Sequence, residues 1–257
     1  MNQLNVNLPE LPYAVSEAMN RLRINIKFCS KNTRKILLTS CQPNEGKSTI
    51  SSYLWKMLAE AGFPTVLVDV DLRKSVMKTR FQMDYDDDTT MGLNHYLSGM
   101  AEYEDVIYST NIPNGYMVPC TQLLENPSAL LEDVRFKELL NTLSENYRFV
   151  IIDSPPLGSV ADGALIASLC DGAVLVVRAG TTPRTLIKQS LYEIQQSGCK
   201  LLGTVLNRAD VKGRAYGKYG YGKYGYGYGY GYGYGYEPKD KKNSSDSAAT
   251  DKNSTGN

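Results

Sequence analysis

The sequence predicts an α/β fold, a mostly parallel sheet covered on both faces by helices, followed by a tail with no core of its own. Three observations predict it. Short apolar runs rich in β-branched residues and leucine alternate with helical patterns from about residue 35 to residue 208. The tetrad Gly46-Lys47-Ser48-Thr49 sits between the first such run and the first helix that follows it. After Arg208 apolar periodicity stops, and tyrosine alternates with glycine before a Ser-rich polar terminus.

The elements follow in order. Residues 13–29, YAVSEAMNRLRINIKFC, read as an amphipathic helix that packs on its own domain or presents a face to a neighbouring subunit. KILLTS (35–40) is the first strand and STISSYLWKMLAEAG the helix after it. TVLVDV (65–70) and FVIID (149–153) are strands, separated at their far end by SALLEDVRFKELLNTLSENY, read as one helix. ADGALIASLC, the strand GAVLVV (172–177), PRTLIKQSLYEIQQSG and the strand LLGTVLN (201–207) complete the pattern. Right-handed crossovers put the C-terminal ends of all these strands along one edge, where such sheets bind ligands. The expected organisation is an N-terminal segment over 1–30, a core domain over 31–210 and a flexible tail over 211–257.

Composition narrows the class. A chain of 257 residues, 42% hydrophobic, can bury a real core. The formal net charge of +1 gives no indication of a nucleic-acid partner. The opening MNQLNVNLPELPY lacks a basic segment followed by an apolar run, and stretches such as FVII and AVLVV are too short to span a bilayer. Cys29, Cys41, Cys120, Cys170 and Cys199 are scattered without a CxxC pair, which reads as reduced thiols. The expected location is the cytoplasm, with membrane attachment only through a partner.

KILLTS runs into CQPNEGKSTISSYL, a phosphate-binding loop in its proper strand–loop–helix setting. Pro43, Asn44, Glu45 and Gly46 form the turn, and Gly46 permits close approach of the backbone to phosphate. Amides at the start of the following helix point at the anion, with the helix dipole behind them. Lys47 reaches the phosphates, the Ser48 hydroxyl suits Mg²⁺, and Thr49 completes the motif. The general pattern asks for glycine where Cys41 stands. Asp69 and Asp71, with Arg73, close the strand VLVDVDLRK, and Asp153 closes VIIDSPP. Any one of these aspartates alone reads as a helix cap or turn residue. Three at the strand ends of one phosphate-loop sheet point to a site for a hard cation, which prefers oxygen ligands.

QPNEGKST, VLVDVDLRK and FVIIDSPPLGSVADG together resemble the Walker A, A′ and B motifs of the bacterial tyrosine kinases, in the branch of cytoplasmic kinases that serve capsule or exopolysaccharide synthesis. TMGLNHYLSG, ENPSALLEDVRFKELL and GCKLLGTVLNR continue the resemblance, so it covers roughly residues 13 to 210. It implies a P-loop NTPase fold of the MinD/ParA type, with ATP and Mg²⁺ as cofactors. By the same resemblance Lys47 and Ser48 hold phosphates and metal, and Asp71 and Asp153 serve the metal. Asp69 activates or orients the tyrosine hydroxyl, Arg73 neutralises charge near the phosphates, and Asn207 contacts the adenine base. The implied partners are a membrane-spanning activator of the Wzz-like chain-length-regulator kind, a tyrosine phosphatase and further copies of the chain in a ring, and no nucleic acid. Recruitment to the inner face of the plasma membrane would come through the activator.

The sequence departs from the family pattern in two places. Asn44 replaces the glycine of PGEGKS, and a left-handed turn there would be well tolerated by asparagine. The N-terminal oligomerisation pattern is carried by Glu17, Arg23 and Asn25, but its first arginine is Asn20 here, with Arg21 adjacent. A solvated helix face is the plain alternative for Glu17 and Arg23. The runner-up class is a MinD/ParA-like partitioning ATPase, or an ATP-binding scaffold without kinase activity. Partitioning ATPases carry a signature lysine where Cys41 stands, and they give no reason for a tyrosine tail.

That tail supplies the expected acceptors: Tyr216, Tyr219, Tyr221, Tyr224, Tyr226, Tyr228, Tyr230, Tyr232, Tyr234 and Tyr236. Glycine between them removes side-chain obstruction, and tethering supplies an effective concentration on the order of millimolar. A flexible stretch of about 16 residues spans roughly 20–24 Å, which favours transfer to a tail from a neighbouring subunit. DYDDD (84–88) reads as a solvated loop, and His95, the chain's one histidine, as a residue outside the chemistry.

Overall fold

The computed structural model describes residues 3–86, 89–159 and 162–209. Along them run β1 (Gln3–Leu4), α1 (Tyr13–Cys29), β2 (Lys35–Ser40), α2 (Lys47–Glu60), β3 (Thr65–Asp69) and α3 (Met77–Arg80). Then come α4 (Leu93–Leu97), α5 (Tyr103–Val106), β4 (Tyr108–Thr110), β5 (Gly115–Val118), α6 (Ser128–Glu132) and α7 (Val134–Asn146). The chain ends its described part with β6 (Phe149–Asp153), α8 (Asp162–Ser168), β7 (Gly172–Arg178), α9 (Arg184–Gln196) and β8 (Leu201–Asn207). Residues 1–210 form one compact unit, so the N-terminal thirty belong to the same body as the core. The second unit, 211–257, lies outside the described residues.

The strands make one sheet in the order β1-β4-β5-β3-β6-β2-β7-β8. Every pairing is parallel except β4 against β5. The central strands β2, β3 and β6 are buried on both faces, which is why each reads as a continuous apolar run. Alternate residues feed two cores. Leu37, Val66, Val68, Val150 and Ile152 face one, while Ile36, Leu38, Leu67, Phe149 and Ile151 face the other. Trp55 of α2 is fully buried in the second core, and its indole N–H donates to the Thr65 carbonyl at 3.1 Å. Helix α1 packs against α2 and buries Met19 and Ile26, leaving Tyr13 and Phe28 exposed.

Two sequence expectations are corrected. The single helix expected over 128–147 is two helices, because Asp133 adopts an extended conformation and its carboxylate accepts from the Arg135 N–H at 2.9 Å. That is an N-cap, which starts a new helix instead of continuing the old one. The strands β1, β4 and β5 were not expected. At two to four residues each they carry too little periodicity to register as strands. No helix among the described residues is long and apolar enough to cross a membrane.

Candidate active site

Strand order decides the site. Because β6 lies between β3 and β2, the ends of the strands bearing Asp69, Asp153 and the phosphate loop are neighbours. Leaving β2, the chain turns through Asn44 (φ 64°) and Gly46 (φ 98°), and Gly46 caps α2. Asn44 thus takes the left-handed conformation that asparagine tolerates best after glycine. Gly46 must lack a side chain for a second reason: a Cβ there would lie 2.1 Å from the Asn207 Nδ2. That Asn207 amide donates to the Glu45 carbonyl at 2.8 Å, so the end of β8 braces the loop.

Glu45 shapes the loop from within. Its Oε2 accepts from the N–H groups of Cys41 at 2.8 Å and Gln42 at 3.0 Å, and its Oε1 accepts from the Thr182 hydroxyl. Thr182 also donates to the Arg178 carbonyl at 3.1 Å. The sequence offered no signal for Thr182, which lies 137 residues from its partner.

Lys47, at the first turn of α2, is buried and points its ammonium into the carboxylates. Nζ donates to Asp71 Oδ2 at 2.9 Å, to Ser48 Oγ at 3.3 Å and to Asp153 Oδ2 at 3.5 Å. Asp153 accepts a further hydrogen bond from Ser51 Oγ at 3.0 Å. Asp69 accepts from the Ser75 hydroxyl and, at 3.3 Å, from the Asp71 N–H. Ser51 and Ser75 were not singled out by sequence, since neither falls in a motif position with a charge to announce it.

One ammonium serves three buried carboxylates. Burial and the neighbouring charge of Asp153 push the Asp69 carboxyl up to about 8, against the bond from Ser75. Burial also raises Asp153, with Lys47 as the chief opposing influence. For Lys47 burial works against the charged form, but Asp153 and Asp71 outweigh it and the ammonium is raised above its ordinary value. The site carries excess negative charge on oxygen, which is what a magnesium ion would neutralise.

A cavity of about 160 Å³ opens in front of Lys47, lined by Pro43, Asn44, Gly46, Ser48, Asp71 and the loop residues Pro155, Pro156 and Ser159. Arg73, Lys74, Val76 and Arg80 complete the wall, so cations outnumber the single lining carboxylate. This lining fits a polyphosphate. The donors Ser48, Asp71 and Asp153 fit Mg²⁺, an ion that keeps several ligand places for phosphate and water oxygens. Among the described residues no three acidic, histidine or cysteine side chains converge as a protein-only metal cage.

Arg73 lines the cavity while its guanidinium is clasped: Nε to Asp162 Oδ2 at 2.7 Å, Nη2 to Ser128 Oγ at 3.1 Å and Nη1 to the Glu125 carbonyl at 2.9 Å. Burial pushes the Asp162 carboxyl up, but Arg73 and Ser128 together hold it below the usual carboxylate range. Asp69 is 1% exposed and is not among the residues that line the cavity. The Thr49 hydroxyl accepts from Arg80 Nη1 at 3.2 Å. Glu17 and Arg23 are half-buried on α1 and Asn25 is exposed. Arg23 is turned onto Asn20, donating from Nη2 to its Oδ1 at 2.7 Å. His95 is buried away from the cavity and accepts the Gly92 N–H at 3.0 Å. The ten tail tyrosines, together with residues 87 and 88 of the acidic run, lie outside the described residues.

Known proteins are similar to this chain over most of its described length. A family profile described as an AAA domain matches residues 33–195. The tyrosine-protein kinase CpsD of Streptococcus agalactiae is 42% identical over 208 residues, which is 80% of this chain and 90% of that protein. The chain belongs to the bacterial tyrosine kinases. Among solved structures, the chimerical protein CapA2B2 matches this kinase with a TM-score of 0.72 and 33% identity, over 80% of this chain and 92% of that one. The septum site-determining protein MinD of Pyrococcus horikoshii, solved with Mg-ADP, matches with a TM-score of 0.57 and 26% identity, over 68% of this chain and 70% of that one. The kinase therefore has the MinD-like P-loop fold.

Proposed function

We propose that this kinase binds ATP with Mg²⁺ in the cavity before Lys47 and phosphorylates the tyrosines of its own C-terminal tail, one subunit acting on another. The observation that carries the reading is Lys47, held at the head of α2 between Asp71 and Asp153 and facing a cation-lined cavity. When bound, ATP supplies the γ-phosphoryl group and Mg²⁺ offsets the charge on its oxygens. Lys47 and the α2 amides grip the anion, and Ser48, Asp71 and Asp153 present oxygens to the cation. Asp69 orients the acceptor phenol and takes its proton. Arg73 offsets charge at the cavity wall, and Asn207 flanks the base.

Catalysis in such a site rests on positioning and charge neutralisation. A tethered, side-chain-poor acceptor therefore needs no deep peptide pocket. Each phosphotyrosine adds about −1.5 to −2 charges. Lys212, Arg214, Lys218 and Lys223 make the start of the tail basic, so modification reverses its sign. In this reading the subunits associate through Glu17, Arg23 and Asn25 while unmodified and separate when the tails repel. The cycle, reset by a phosphatase, would govern capsular or exopolysaccharide synthesis and export from the inner face of the plasma membrane, where a membrane-spanning activator recruits the kinase.

The test is incubation of the purified chain with ATP and Mg²⁺, alone and with a candidate activator segment, followed by mass-spectrometric mapping of phosphotyrosine. Label within 216–236 that disappears in Lys47→Met supports the reading. Phosphate release with no phosphotyrosine under both conditions would favour a partitioning-type ATPase. Size measurements on phosphorylated and phosphatase-treated samples test the assembly step, and identical oligomers would overturn it.

A further inference from the structure

Among the described residues, not every charge around the cavity has a counter-charge. Lys47 is matched by Asp71 and Asp153, and Arg73 by Asp162. Lys74 and Arg80 line the same cavity, are exposed, and make no ion pair with any described residue. Both are nevertheless positioned. The Lys74 backbone N–H bonds the carbonyl and Oδ1 of Asp71, and Arg80 is hooked to Thr49 at the head of α2. The cavity thus has an inner cationic centre with its counter-charges and an outer pair of cations that have none among the described residues.

An outer pair beside a phosphate-transfer centre suits a second phosphate. The sequence provides one at a fixed offset. From Tyr224 to Tyr236 the tail is strictly alternating and contains no charged residue, so seven tyrosines recur every second position. In an extended chain, residues two apart point the same way and repeat every ~7 Å. A tail that offers one phenol to the inner centre therefore presents the next phenol of the same side about one repeat away. Unmodified, that neighbour gives an ammonium or guanidinium little to bind. Phosphorylated, it brings a dianion.

We propose that Lys74 and Arg80 form a phosphotyrosine-binding rim that recognises a tail tyrosine already phosphorylated two residues from the next acceptor, so that modification of the Tyr-Gly run favours neighbours of existing phosphotyrosines. This rests on the tail being the acceptor. The chemistry of each step is unchanged. The acceptor phenolic oxygen forms a bond to the γ-phosphorus as the bond from that phosphorus to the bridging oxygen breaks. ADP leaves with the electron pair, and the phenolic proton passes to the enzyme base. What the rim changes is the binding of the acceptor.

The experiment uses the phosphatase-treated full chain with ATP, Mg²⁺ and two synthetic Tyr-Gly peptides, one unmodified and one carrying a single phosphotyrosine two residues from a free tyrosine. The wild type should phosphorylate the primed peptide with about a tenfold lower KM, as one to three new charge-assisted hydrogen bonds imply, and with little change in kcat. That ratio should fall to about one in Lys74→Ala/Arg80→Ala and shrink in high salt, because both cations are exposed. Taking a ratio of two peptides on one enzyme separates the effect from damage to folding or ATP binding. Equal KM values for the two peptides in the wild type, or a preference that survives the double substitution, would overturn the proposal while leaving the tail as acceptor. A more than tenfold loss of affinity for a non-hydrolysable ATP analogue with the peptide ratio intact would assign both cations to the nucleotide and also overturn it. Transfer to neither peptide, while the enzyme still phosphorylates other tyrosine substrates, would remove the tail-acceptor reading and the rim with it.

Discussion

Asp69 and Asp153 are register partners at the C-terminal ends of the adjacent parallel strands β3 and β6, both 1% exposed. Backbone geometry alone brings these two carboxylates together, and the Val70 N–H to Asp153 carbonyl bond at 2.9 Å carries the pairing one residue beyond β3. With Asp71 alongside, the strand ends hold more negative charge than Lys47 balances. In the proposed function, a divalent cation held with nucleotide supplies the missing charge.

Magnesium should therefore matter more than nucleotide alone. At about 100-fold excess over its Kd, Mg-ADP should stabilise the wild type by ~2.7 kcal/mol, and ADP with EDTA by much less. Asp153→Asn should lose most of the increment that magnesium adds. Thermal melts with and without the metal measure each increment against its own baseline, and an undiminished increment in Asp153→Asn would remove this carboxylate from the cation site.

Gly46 should tolerate no side chain. Gly46→Ala meets both a left-handed backbone and the Asn207 amide at 2.1 Å. The backbone term alone is about 1–2 kcal/mol. In an Asn207→Ala background the collision disappears, so Gly46→Ala should there cost roughly that backbone term and no more. Urea midpoints for the four proteins of this cycle make the comparison, and equal costs in both backgrounds would contradict the bracing role of Asn207.

Glu45 should act on the nucleotide without touching it. Its carboxylate holds the Cys41 and Gln42 amides and the Thr182 hydroxyl. Glu45→Ala frees the loop and should raise the KM for ATP about tenfold, with a smaller change in kcat, since lost pre-organisation weakens binding first. Thr182→Val removes one of the three bonds and should give a fraction of that effect. A kcat-only defect in Glu45→Ala would point to a direct role in the chemistry instead.

Asp162 should make part of the stability pH-dependent. Its folded pKa is below its unfolded value, so the stabilisation from Arg73 and Ser128 is fully present above the ordinary carboxylate range and is lost as pH falls through the folded value. Asp162→Asn should cost about 2 kcal/mol at pH 7, the scale of hydrogen bonds to a charged group. The wild-type advantage should narrow steadily below about pH 4. Denaturant titrations at pH 7 and pH 3 read the difference, and a cost independent of pH would mean that packing, not charge, holds Asp162 in place.

The strand–loop–helix at residues 35–60, the three aspartates at strand ends and the strands Lys35–Ser40, Phe149–Asp153 and Leu201–Asn207 were legible in the sequence, because each is a local pattern. A buried parallel strand must be apolar on both faces, and a phosphate loop must place glycine and lysine at the head of a helix, whatever the rest of the chain does. The break at Asp133 was also local but ambiguous. The apolar spacing on either side continues smoothly, and only the observed cap shows that the chain stops and restarts there.

Tertiary structure alone decided the partners. Strand order made Asp69 and Asp153 neighbours although they lie 84 residues apart in sequence. It clasped Arg73 to Asp162, 89 residues away, set Thr182 on Glu45 and laid Asn207 over Gly46. No single-sequence pattern marks such contacts, because the hydrogen bonds form between elements whose separation in sequence is unrelated to their separation in the folded sheet. The sequence determined which residues carry charge and which segments are buried. The order of strands in the sheet determined which charges meet.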